Sequence, residues 1–134
     1  MSATDVIREG LKRLSDRDLD AWVEVFTEDA RLYELPEMPD ADVFVGHDGL
    51  RQWATNLIEI SSEWSWELIE VLAQDGDLVV AAAELKGRAI TSDVPIGMPV
   101  FHVFELEGDK IASVRGFSSR EEAFAAAKLE GPKV

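Results

Sequence analysis

Apolar residues recur at a helical period in the first half of the chain and alternate in much of the second. In "DVIREGLKRL", starting at Thr4 or Asp5, Val6, Ile7, Leu11 and Leu14 fall on one stripe at about 100° per residue, with Gly10 inside it. "DRDLDAWVEVF" repeats the pattern with Leu19, Trp22, Val23 and Phe26 at i, i+3, i+4 and i+7, and Ser15 or Asp16 is placed to cap its start. A short strand is expected over Ala30 to Leu35. Alternation puts Ala30, Leu32 and Glu34 on one of its faces, and Arg31, Tyr33 and Leu35 on the other. A loop holding Pro36 and Pro39 follows. After Gly46, "HDGLRQWATNLIEI" predicts a third helix with its stripe at Leu50, Trp53, Leu57 and Ile60.

Strand signals then take over. "EWSWELIEVLA" begins by alternating, with Trp64, Trp66 and Leu68 on one face, and "QDGD" supplies an Asp-Gly turn. "LVVAAAELKGR" is a strand rich in small residues, and "AITSDVPIGMP" is expected as a loop. "VFHVFEL" and "KIASVRGF" are two strands joined at Gly108-Asp109, a tight-hairpin signal. "SREEAFAAAKL" closes with a helix, its Ser119 and Glu122 spaced as a capping box. Consecutive strands joined by short turns imply an antiparallel sheet. Helices gathered mostly ahead of it imply that they cover one of its faces, an α+β arrangement.

Composition narrows the options. At 134 residues the chain suits one domain with a real core. It has no cysteine, which excludes disulfides, thiolate metal sites and a cysteine nucleophile. The formal charge of −14 is spread along the chain and repels phosphate backbones and anionic lipid, so neither nucleic acid nor membrane is expected as a partner. No signal-peptide core and no apolar run of spanning length is present, which makes the cytoplasm the expected location. His47 and His102 are far apart, neither in a metal-ligand spacing, and no phosphate loop or Ser-His-Asp set presents itself, so no cofactor is expected.

The order of elements, with "DLDAWVEVFTEDARLYE", "GHDGLRQW" and "FELEGDKIASVRGF", resembles the SnoaL-like and ketosteroid-isomerase-like branch of the nuclear transport factor 2-like superfamily, over nearly the whole chain. The resemblance implies a cone-shaped α+β barrel, a strongly curved, mostly antiparallel sheet wrapped around helices with an interior pocket. Members include isomerases, polyketide cyclases, dehydratases, epoxide hydrolases and non-enzymes, so the fold alone does not choose among them.

Matched by motif, Glu34 falls at the general-base position of the isomerase and His102 at an oxyanion-hole acid. Gly10 stands where that enzyme has its oxyanion-hole tyrosine, and a glycine has no side-chain donor. The Asp-Arg-Asp positions of the epoxide hydrolases read Ala81, Ala83 and Gly116 here, which argues against that mechanism. The implied register turns Val79, Ala81 and Ala83 inward. A roomy apolar pocket is therefore expected, lined by Gly10, Trp22, Phe26, Trp53, Trp66, Val79, Ala81, Ala83, Phe104, Val114 and Gly116, for a hydrophobic small molecule. Close packing of these residues as ordinary core is the competing expectation. In an apolar pocket Glu34 would be pushed toward neutrality and could move a proton next to a carbonyl, while His102 donates or shuttles. Paired across the cone, Glu34 would favour the imidazolium form of His102. His47 is expected as a surface or capping residue. Arg115 and Glu105 are expected on the sheet face away from the helices, in cross-strand pairs or a homodimer contact through that face. Two functions follow: cofactor-free proton transfer of isomerase, cyclase or dehydratase type, or a non-catalytic ligand-binding or dimerisation module.

Overall fold

Ser2 starts the first helix with a reciprocal cap. Its hydroxyl accepts from the Asp5 N–H while the Asp5 carboxylate accepts from the Ser2 N–H. The computed structural model describes residues 2–33, 43–89 and 95–127. Within them the elements run α1 (Ala3–Ser15), α2 (Leu19–Val23), β1 (Phe26–Tyr33), β2 (Val43–Val45), α3 (Gly46–Ile60), β3 (Ser61–Asp75), β4 (Leu78–Ala89), β5 (Pro95–Glu107), β6 (Lys110–Phe117) and α4 (Arg120–Ala127). The strands form one sheet in the order β2-β1-β6-β5-β4-β3. Every neighbouring pair is antiparallel except β1 with β6, which is parallel.

α1 follows its pattern: Val6, Ile7, Gly10, Leu11 and Leu14 are all buried. The second helix is much shorter than its stripe suggests. Asp18, not Ser15 or Asp16, is its N-cap, accepting from the Ala21 N–H, and it stops at Val23. Arg17 takes a left-handed φ of 60°, so the chain turns sharply between the two helices. Arg13 ties them together by donating to the Ala21 carbonyl at 2.8 Å. Phe26 fits the helical stripe yet begins β1, because β6 captures this stretch. Ile111 donates to the Val25 carbonyl at 2.8 Å, and Phe26 pairs with Ile111 in the ladder. Tertiary pairing outweighs local periodicity here.

β1 thus starts four residues earlier than expected. Its alternation holds where it is described: Ala30 and Leu32 are buried, Arg31 is exposed and Tyr33 half-buried. The short edge strand β2 was not expected; three residues carry too little pattern to register. Gly46 follows it at φ +74°, a left-handed conformation suited to glycine, and opens α3. β5 begins at Pro95, inside the stretch expected to be loop. β3 carries register shifts between Leu68 and Glu70 and between Val71 and Ala73, which bend a long edge strand and keep Leu68 and Val71 on the helix side.

The helices do not all lie on one face. α1, α2 and α3 pack on the side of Val79, Ala81, Phe104 and Val114. α4 lies on the opposite side, where Ala123, Phe124 and Ala127 cover Val80 and Val103. The Ser119 hydroxyl caps it, accepting from the Glu122 N–H. The face expected to be free of helices is therefore partly covered, which narrows any dimer contact there to the remainder. On that face Arg115 lies over the Tyr33 ring at 5.2 Å, and Glu105 accepts from the Ser113 hydroxyl.

Gly10 allows α1 to lie close to the sheet. A Cβ there would sit 3.1 Å from a Val25 methyl and 3.9 Å from Ile111. The space left by the missing side chain is thus taken by core, not held open. Gly10→Leu should cost about 1–3 kcal/mol of stability. Gly10→Ala should sit near balance, its helix gain of about 1 kcal/mol set against the Val25 contact. Urea denaturation of both variants checks the pair of values.

Candidate functional site around His102

β5 alternates cleanly at its centre. Val100, His102 and Phe104 face inward and are buried, while Val103 faces α4 and Glu105 faces solvent. His102 pairs across the ladders with Ala81 on β4 and Gly116 on β6, so two small residues flank it. Ala83 pairs with Val100, and Phe104 lies between Val79 and Val114. The predicted inward register of Val79, Ala81, Ala83, Phe104, Val114 and Gly116 is the observed one.

His102 is 2% exposed and is the one buried residue with an ionisable side chain in the described core. Neither Nδ1 nor Nε2 meets a hydrogen-bond partner among the described residues. Burial lowers its pKa from 6.5 to about 4. The main-chain carbonyl of Arg115 opposes this in part, without hydrogen-bond geometry to either nitrogen, and no charged side chain among the described residues contributes. The ring is therefore neutral at pH 7; the pairing with Glu34 that would favour imidazolium falls outside the described residues. It offers one N–H and one lone pair, and acts as a neutral donor or a proton acceptor.

Aromatic rings lead away from it in an unbroken row. Trp66 is 4.9 Å from His102 between centroids, Trp53 is 5.3 Å from Trp66, Trp22 is 5.8 Å from Trp53, and Phe26 meets Trp22 edge-on at 5.2 Å. Phe104 lies on the other side of His102 at 5.4 Å. Trp22 and Phe26 are buried, whereas Trp53 and Trp66 are half-buried. The fold thus gathers Trp22, Phe26, Trp53, Trp66, His102 and Phe104 from five elements, although they are spread over 83 positions' worth of chain from Trp22 to Phe104. Gly10 is placed elsewhere, against Val25 and Ile111. Glu34 lies outside the described residues, as does the side chain of Trp64.

Two residues have plainer roles or were missed. His47 is half-buried at the start of α3, and its Nε2 donates to the Phe26 carbonyl at 3.2 Å, a structural bond to β1 in place of the surface or capping role expected of it. Ser15, expected only as a helix cap, reaches β3. Its Oγ accepts from the Trp66 N–H at 2.9 Å and donates to the Trp66 carbonyl at 3.3 Å. A contact across 51 positions leaves no local trace in a sequence.

Comparison with solved structures defines the class as a nuclear transport factor 2-like fold. A protein of that fold and unknown function from Burkholderia pseudomallei is similar at TM-score 0.76 and 17% identity, over 93% of this chain and 97% of its own. A protein with ketosteroid isomerase-like fold from Catenulispora acidiphila, solved in complex with trimethylamine, is similar at TM-score 0.75 and 14% identity, over 93% of each chain. The epoxide hydrolase/cyclase-like enzyme SalBIII, of pyran ring formation in the polyether salinomycin, is similar at TM-score 0.73 and 24% identity, over 89% of this chain and 92% of its own. The cone-shaped α+β fold expected from the sequence is thus the observed one. The family model of the SnoaL-like domain matches residues 7–114, and the chain belongs to that family. Comparison with curated proteins finds no match. Among the described residues no helix is long and apolar enough to cross a membrane.

Proposed function

We propose that this SnoaL-like protein binds a hydrophobic small molecule between the helices and the inward face of the sheet, and that His102 is its polar anchor. One observation carries the reading. A wholly buried imidazole, flanked by alanine and glycine and surrounded by aromatic rings, keeps both nitrogens unpaired among the described residues. Such a group costs stability and persists where a bound partner uses it. Related folds that hold a small molecule or act in ring formation support the same reading.

The chemistry that fits is cofactor-free proton transfer of isomerase, cyclase or dehydratase type. Glu34 would be the base and neutral His102 the donor at the developing oxyanion. Ala30 and Leu32 are buried, and Glu34 lies two positions beyond Leu32 in the sequence, the spacing on which its expected role rests. A homodimer using the part of the outer face left open by α4 belongs to the same proposal, and sedimentation equilibrium reports it.

Exchange of the acidic methyl protons of aryl methyl ketones in D2O, followed by NMR, tests the chemistry. The protein should accelerate exchange, and Glu34→Gln should slow the catalysed rate about 100-fold or more. The pKa of about 4 that burial gives His102 makes it a poor proton shuttle at pH 7 and favours a second, non-catalytic reading. Ketone binding without any exchange would establish that reading instead.

A further inference from the structure

Every buried side-chain nitrogen without a partner among the described residues belongs to one pair of touching rings: Nε1 of Trp66 and both nitrogens of His102. The two centroids are 4.9 Å apart with the planes inclined by 43°. One isolated unpaired group could be a packing accident. Two side by side, each destabilising while unpaired, mark a shared polar partner.

Trp66 is also held in place. β3 is an edge strand, so main-chain groups of Trp66 that face away from β4 have no strand to pair with. The Ser15 hydroxyl, at the end of α1, takes both of them, accepting from the N–H and donating to the carbonyl. That two-way bond sets where the indole leaves the strand and ties it to the helix layer.

We infer that the Trp66 indole N–H and a ring N–H of His102 hold one carbonyl oxygen of a flat, uncharged ligand, and that Ser15 positions Trp66 for this contact. The inference rests on the pocket proposed above and adds the ligand's chemical class. An indole nitrogen only donates, so the ligand must bring an acceptor. A carbonyl oxygen has two lone pairs and can take both donors. A carboxylate would shed its hydration among Trp66, Phe104 and the flanking Ala81 and Gly116, with no cation acting on His102 among the described residues. The neighbouring rings of Trp53 and Phe104 suit an aromatic body by offset or edge contact.

Titration with 2-acetonaphthone, its hydrocarbon counterpart 2-ethylnaphthalene and the anion 2-naphthoate tests this. Wild type should bind the ketone about tenfold more tightly than the hydrocarbon, and naphthoate more weakly than the ketone. Trp66→Phe, which keeps a ring and removes one of the two donors, should lower the ketone-to-hydrocarbon ratio to about threefold, the His102 N–H accounting for what remains. Ser15→Ala should lower the ratio and Ser15→Thr should restore it, a pattern that a general loss of stability would not produce. In the wild-type protein, one of the four indole N–H resonances should move on adding the ketone and stay put with the hydrocarbon, a readout that needs no variant to fold. Equal binding of ketone and hydrocarbon, or a ratio untouched by Trp66→Phe, would overturn the inference, assign the two rings to a structural water and leave the pocket standing. If none of the three probes binds, the pocket itself is wrong.

Discussion

His102→Leu should leave the protein as stable as wild type or more so at pH 7, and should remove most of its loss of stability in acid. The imidazole is buried, with a folded-state pKa of about 4 against 6.5 when unfolded. Between those values the unfolded chain binds the extra proton, so stability rises with pH. The contribution is whole above pH 6.5 and is lost as the pH falls toward 4. At about 1.4 kcal/mol per pH unit, the gap is worth about 3 kcal/mol. Acid also relieves the self-repulsion of a −14 chain, which acts in the opposite direction, so the difference between variant and wild type is the quantity to read. Urea titrations at pH 7, 5.5 and 4.5 supply it. At neutral pH, exchanging an unpaired polar ring for an apolar side chain of similar size removes a buried defect. A loss of more than about 1 kcal/mol at pH 7 would mean that the ring is satisfied structurally, and the case for a ligand anchor would weaken accordingly.

Trp22→Ala should be the most damaging single change, at about 3–5 kcal/mol. α2 is only five residues long and could not persist alone, since isolated short helices are marginal in water. Trp22 is what fastens it. The indole is 2% exposed, takes the Phe26 ring edge-on and leans on Trp53 at 5.8 Å. Its loss would open a cavity between α2, α3 and the start of β1. Trp53→Ala, at the half-buried centre of the row, should cost clearly less. The midpoints of urea unfolding rank the two. A reversed order would put the hollow of the cone at Trp22 and solid packing at Trp53.

These two expectations divide the ring row into a core end and a site end. Trp22 and Phe26 are buried beneath short elements that need them for anchorage. Trp66 and His102 carry nitrogens that nothing described satisfies. The competing expectations of plain core and pocket wall therefore both apply, to different members of the same row. Gly10 falls on the core side of that division. Its missing side chain serves the approach of α1 to Val25 and Ile111, so the absent donor there is replaced, on the inference drawn above, by Trp66 from a different element.

Local pattern was sufficient for α1, α3 and the β5–β6 hairpin, because each is long or closed by a residue with its own geometry. Gly108 at φ 63° is such a residue. It was insufficient for Glu24 to Phe26 and for Pro95 to Pro99. Helical and loop signals there yielded to ladder pairing, with the distant Ile111 for Phe26 and with Arg88 to Glu84, on the adjoining strand β4, for the start of β5. α4 was legible as a helix, but its side of the sheet was not. An amphipathic stripe reports that a face is buried without saying against what.

Residue order was enough to establish an acidic chain of α+β class and the alternation that puts His102 in phase with Val100 and Phe104; the resemblance to a family added which phase turns inward. Periodicity and turn chemistry are short-range properties, so they survive in a linear reading. Three dimensions alone decided that this histidine is neutral, that an indole from β3 touches it and that a serine from α1 holds that indole's backbone. Desolvation and cross-chain hydrogen bonds depend on which distant segments meet, and that is a property of the packed molecule.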